Sequence, residues 1–172
     1  FTPTLLNAVI WSRAARFSAK AREHQNGQPP LLHADDLGLA EGVDAAILDL
    51  AQSGRLHGAS LLVNGPSATT AVEAWRDLAD PPPLSLHVCL TEGHGLPNSP
   101  DLPTGFGRLL LASLLPWQRQ RIAPQLRAVL LQQISRYRQL TGLRQIRLDG
   151  HQHIHLVPLV LDAVLDLSRS ES

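Results

Sequence analysis

From residue 31 the chain settles into a rhythm in which short apolar runs alternate with stretches where apolar residues recur every third or fourth position. Residues 31–34 form a first short apolar strand by this pattern. Over 40–53, Val43, Ala46, Ile47 and Leu50 fall at helical spacing, and Gly54 is placed to end that helix. A second strand over 59–63 stops at Asn64-Gly65-Pro66. Ser67 can cap a helix that runs to about residue 78, before three consecutive prolines break the chain. The third strand covers 84–90, and a loop rich in glycine and proline follows over 91–107. Pro124 suits the first turn of a helix whose Leu126, Val129, Leu130, Ile134, Tyr137 and Leu140 share one face, with Gly142 at its end. A fourth strand at 145–148 and a helix at 159–167 complete the series. Residues 1–28 read differently, as an amphipathic, basic helical extension ended by Gly27 and the Pro29-Pro30 pair.

Strands separated by helices predict parallel βαβ units and an α/β fold. Right-handed crossovers then bring the carboxyl end of every strand to the same side.

Composition narrows the function more by exclusion than by suggestion. The 172 residues suffice for one domain with a substantial core. Lys+Arg and Asp+Glu both total 15, so the net charge is zero and no basic stripe offers a nucleic acid its counter-charge. The densest apolar run, 109–115, is far too short to span a bilayer, so no membrane partner is expected. Near the amino terminus apolar residues precede the basic ones, the reverse of a secretory signal, which predicts a cytoplasmic protein. The chain begins at Phe1 and contains no methionine, so its natural start is expected upstream. Cys89, the single cysteine, leaves no intrachain disulfide to consider.

The chemistry sits in three distant segments, each at a predicted strand end. The first is Leu31-Leu32-His33-Ala34-Asp35-Asp36-Leu37-Gly38. Adjacent strand residues point to opposite faces, so Asp35 and Asp36 can serve one site only if the strand ends there. In the second, His87 lies within an apolar run, and a buried imidazole needs a partner, which a cation can supply. Thr91 and Glu92 follow that strand. In the third, Asp149 precedes His151, His153 and His155; alternate positions of an extended chain line one side, so two imidazoles can reach a common centre. A lone Asp pair is more often a helix cap, and a lone histidine more often a satisfied core residue. Three such segments converging on one face argue for a metal-dependent hydrolase.

Together these segments resemble the YdjC/ChbG-like carbohydrate deacetylases. The resemblance runs from about Leu31 to Leu165. It is carried by Ala34-Asp35-Asp36-Leu37-Gly38-Leu39, Leu62-Val63-Asn64-Gly65, Leu86-His87 with Leu90-Thr91-Glu92-Gly93, and Asp149-Gly150-His151-Gln152-His153-Ile154-His155 with Pro158. It implies a (β/α) barrel that removes acetyl groups from N-acetylated sugars such as chitooligosaccharides, with a small carbohydrate as substrate. It further implies a divalent cation, usually magnesium, held by Asp36, His87 and His151, with Asp35 as the base. His153 is the expected proton donor, and Glu92 and His155 the substrate contacts. Two imidazoles and one carboxylate are by themselves a better donor set for zinc.

A barrel of this kind needs about 250 residues. Residues 31–172 are therefore expected to form a partial deacetylase domain lacking the carboxyl-terminal strands, behind an amino-terminal extension over 1–30. A partial barrel leaves sheet edges and apolar helix faces open to self-association into a homo-oligomer. Two other functions stay open at this point. One is a metal-dependent phosphoesterase or amidohydrolase; the other is a truncated, inactive relative that binds sugar or a partner.

Overall fold

The computed structural model describes residues 30–92, 95–103 and 105–170. The basic helical stretch expected over 1–28 lies outside the described residues, as does His94. The fold begins with β1 (His33–Leu37) and continues through α1 (Glu41–Gln52), β2 (Gly58–Leu61), α2 (Ala68–Arg76) and β3 (Leu84–Val88). Then come α3 (Phe106–Leu114), α4 (Pro116–Thr141), β4 (Leu148–Gly150) and α5 (Pro158–Ser170). The strands form one parallel sheet in the order β1-β2-β3-β4, so each strand lies beside its predecessor in sequence. This is the expected α/β class, parallel strands with flanking helices. Among the described residues no helix is long and apolar enough to cross a membrane.

β2 and β3 are buried along their whole length, as interior strands of a parallel sheet must be when covered on both faces. Their apolar side chains meet Leu126, Leu130 and Tyr137 of α4, and Val160 of α5, in one core. Tyr137 is fully buried, and its hydroxyl donates to the Leu84 carbonyl at 2.7 Å, so the ring adds apolar area without stranding a polar atom.

Four local expectations shift. The dense apolar run at 109–115 folds as α3 where a loop over 91–107 was expected to give way only to a helix at Pro124. The helix α4 starts eight residues earlier, with Pro116 in its first turn, and carries Pro124 inside. Pro116 meets the same N-terminal requirement, and the continuous buried stripe from Ile122 to Leu140 holds the helix through the second proline. Gly142 ends α4 as expected, in the left-handed conformation. Ser67 precedes α2 but makes no side-chain cap; its hydroxyl is buried without a partner. The first and fourth strands begin later than their apolar runs suggest, so that they include Asp35, Asp36 and Asp149.

Two turns lock the sheet's functional end. Gly38 follows β1 with φ +94°, its N–H donating at 2.6 Å to the buried Asp44 carboxylate in α1. A Cβ on Gly65 would stand 2.0 Å from the Gly38 carbonyl oxygen, which means the two backbones touch. Gly65→Ala should therefore lower stability by about 3 kcal/mol through overpacking against rigid backbone. Gly42→Ala, in α1 with nothing within 4 Å of a new Cβ, should raise it by about 0.5 kcal/mol. Urea unfolding of the two variants checks the contrast, and a Gly65→Ala chain as stable as the parent would contradict the interlock.

Candidate metal centre

Asp36, His87 and His151 arrive from the carboxyl ends of β1, β3 and β4. The register of β1 against β2 shifts between Ala34 and Leu37, and Asp36 has φ +71°. The expectation was that both aspartates could share a site only where the strand stops. The strand instead runs on to Leu37, and the irregularity at Asp36 re-aims its side chain. Aspartate tolerates the left-handed region better than bulkier residues, and such strain gathers at sites held by their surroundings. His87 stands one residue before the end of the fully buried β3 and is only 3% exposed. His151 is the first residue after β4 and is also buried.

Asp36 Oδ1 lies 2.8 Å from His151 Nδ1 and 3.3 Å from His87 Nε2. One ligand atom from each of the three residues lies within 4.8 Å of the others. The imidazole planes of His87 and His151 meet edge to face with centroids 5.5 Å apart. β2 lies between β1 and β3, and its small Ser60 side chain reaches His33 on one side and Asp149 on the other.

A second carboxylate backs the centre. Asp149 Oδ1 accepts from His87 Nδ1 at 2.6 Å, while Asp149 Oδ2 accepts from the Ser60 hydroxyl. An imidazole held this way by a carboxylate has one nitrogen committed and the other aimed at the centre, the arrangement found behind many metal-bound histidines. Burial opposes charge on His87, but hydrogen bonds to Asp149 and Asp36 prevail and push its pKa up to about 9. The hydrogen bond from His87 holds Asp36 below the usual carboxylate range against its own burial, with His151 assisting. Burial also raises Asp149, yet the bonds from His87 and Ser60 outweigh it and lower the net value. The two carboxylates thus favour a proton on His87. A divalent cation would answer the same negative field by displacing the Nε2 proton, and the convergence of two nitrogens and one oxygen fits such an ion.

The other candidate residues divide into two groups. Asp35, with a 59% exposed side chain, stands on the open side, 3.8 Å from His33 Nε2; His33, Asp35 and Asp149 form a second group of ligand atoms within 4.8 Å of one another. Glu92 Oε2 is 3.2 Å from His151 Nε2, and its Oε1 accepts from Gln152 at 2.5 Å, so Glu92 braces the histidine turn. His153 and His155 instead face each other, edge to plane, with centroids 6.0 Å apart. Neither belongs to the Asp36 group. The reason lies in the backbone: residues His151–Leu156 turn tightly, with Gln152 and His153 at φ 52° and 55°, so the side-alternation of an extended chain does not apply. His155 packs against Gly150 with its Nδ1 buried and unpaired.

Three contributors carried no role in the sequence reading. Asp149 sat in the right segment but looked like an introduction to the histidines. Ser60 and Gln133 gave no signal at all. Gln133, buried in α4, donates to the Cys89 carbonyl at 2.7 Å and accepts from the Cys89 N–H at 3.2 Å, continuing β3 past its last strand partner. The Cys89 thiol donates to the Glu92 carbonyl at 3.2 Å, which fixes the turn that delivers Glu92.

Residues 31–172 match the family model described as YdjC-like protein. A carbohydrate deacetylase of Mus musculus is 34% identical over 140 residues, covering 73% of this chain and 42% of that protein. A chitooligosaccharide deacetylase of Serratia marcescens is 28% identical over 138 residues, covering 78% of this chain and 53% of its own length. The chain thus spans about half, or less, of these relatives. A solved structure from Enterococcus faecalis V583, described as a cellobiose-phosphate cleavage protein, superposes with a TM-score of 0.56 at 24% identity, over 82% of this chain and 55% of that one. At that identity the likeness speaks for the fold.

Removing either imidazole of the centre should weaken binding of a divalent cation more than about tenfold. Isothermal titration of His87→Ala and His151→Ala with zinc and with magnesium measures this. Asp166→Ala, an exposed α5 change, should leave the affinity where it was, and equal losses in all three would count against the assignment.

Proposed function

The chain belongs to the YdjC-like protein family, and from that membership we propose that it is a metal-dependent hydrolase that removes acetyl groups from N-acetylated sugars of the chitooligosaccharide kind. The observation that carries this reading is the meeting of Asp36, His87 and His151 ligand atoms within 4.8 Å, with the exposed Asp35 in the adjoining group of His33 and Asp149. The four parallel strands serve as one sector of a (β/α) barrel, whose catalytic groups gather at the strand ends. Asp36, His87 and His151 hold the cation. When bound, it supplies a Lewis acid that polarises the acetamide carbonyl and makes water more acidic. The resemblance implies magnesium, while the two imidazoles favour zinc, and acetate release by the chain loaded with each ion in turn decides between them.

Asp35 acts as general base. As water attacks the acetamide carbon, Asp35 takes its proton, the C–N bond breaks, and acetate leaves with a free amino sugar. His153, exposed on the rim, gives the departing amine its proton. Glu92 and His155 contact the sugar. A neighbouring cavity of about 350 Å³ supports a sugar substrate: Asn64, Thr91, Glu92, Asn98, Asp101 and Gln133 line it with amides, a hydroxyl and carboxylates suited to hydroxyl groups.

Acetate release from N,N′-diacetylchitobiose by the metal-loaded chain tests this function. Asp35→Asn should reduce turnover by a factor on the order of 100 or more while metal affinity is retained. Phosphate release from a phosphoester without acetate from the sugar would overturn the reading.

A further inference from the structure

One hydrogen-bonded chain takes a member from every strand: His33 from β1, Ser60 from β2, Asp149 from β4 and His87 from β3. We infer that Ser60, backed by His33, is a positioning residue for the metal centre, which fixes the Asp149 carboxylate so that His87 presents a single nitrogen to a cation. This rests on the reading of Asp36, His87 and His151 as cation ligands.

The proton inventory makes the chain directional. Ser60 is 0% exposed, so its hydroxyl has no water to fall back on. Its one hydrogen goes to Asp149 Oδ2, so the bond at 2.6 Å to His33 Nε2 must have the imidazole as donor and the serine oxygen as acceptor. Asp149 Oδ1 in turn accepts from His87, which places a hydrogen on His87 Nδ1. Both carboxylate oxygens are then assigned, and the carboxylate cannot turn without breaking one bond. His87 Nε2, on the opposite edge of the ring, is left facing Asp36.

Without the Ser60 hydroxyl, Oδ2 loses its donor in a half-buried position. His33 Nε2 already stands 3.6 Å from Oδ2 and is the group that would claim it. The carboxylate then rotates toward β1 and draws Oδ1 off His87. Serine also suits the place sterically, because β2 runs between the two strands that carry Asp36 and His87.

Two variants and two measurements test the inference. Ser60→Ala adds no volume and removes only the hydroxyl; His33→Ala removes a half-exposed side chain. Titration with zinc and with magnesium should show Ser60→Ala binding about 10- to 100-fold more weakly than the parent, as for other groups that orient a metal-bound histidine. His33→Ala should lose less. In the metal-free chain, ¹⁵N-edited NMR should show a slowly exchanging His87 Nδ1 proton in the parent, lost to exchange in Ser60→Ala. A merely space-filling serine would leave that proton unmoved. Parent-like affinity and an unmoved proton in Ser60→Ala would overturn the inference alone, as would a greater loss in His33→Ala. A parent chain that binds neither ion would overturn the cation reading and this inference with it.

Discussion

A histidine near the end of a fully buried strand has to be paired, and the pairing of His87 organises this fold's functional end. An imidazole taken from water without partners is costly to bury. Here both nitrogens are met by carboxylates, Asp149 on one side and Asp36 on the other. Those two residues belong to β4 and β1, at opposite edges of the sheet order, so satisfying one side chain ties together strands that share no backbone hydrogen bond. β1 meets this demand with an irregular register and a left-handed aspartate. β4 meets it more simply, since Asp149 stands in register beside His87.

Much of the architecture was legible in the chain. The parallel strands, the helices after the first, second and fourth of them, and the three polar segments follow from apolar periodicity and from glycine and proline punctuation. What stayed hidden depended on backbone states that periodicity does not encode. Asp35 and Asp36 looked incompatible within a continuing strand, because alternation assumes ideal pleating that β1 abandons at Asp36. The histidine-rich segment looked like an extended ligand row, but two consecutive left-handed residues fold it so that His151 joins Asp36 while His153 turns to His155. Pro124 was read as the first turn of the long helix, but the packed stripe from Ile122 to Leu140 carries the helix through it from Pro116. Ser60 and Gln133 were illegible for another reason: a buried polar residue's role depends on partners 89 and 44 positions away.

The centre draws its order from elements that never touch it. Gln133 and Cys89 hold the chain after β3 in place, and that chain delivers Glu92 to the far nitrogen of His151. Ser60 does the same for His87 through Asp149. Each histidine of the centre is thus oriented by a carboxylate, and each of those carboxylates is oriented by a further donor, Gln152 for Glu92 and Ser60 for Asp149. The described residues hold this scaffolding on four strands, although the chain spans only 42% of the mouse relative.

The contact between the turns after β1 and β2 has a mechanical side. The Gly38 carbonyl receives the Ser67 N–H at 3.3 Å, and Leu39 N–H returns to the Asp36 carbonyl at 3.1 Å. With no side chain between Gly38 and Gly65, the two turns are packed backbone to backbone, two residues from Asp36. Bulk introduced at position 65 therefore meets peptide atoms, with no rotamer there to yield, in the very turn that leads out of Asp36.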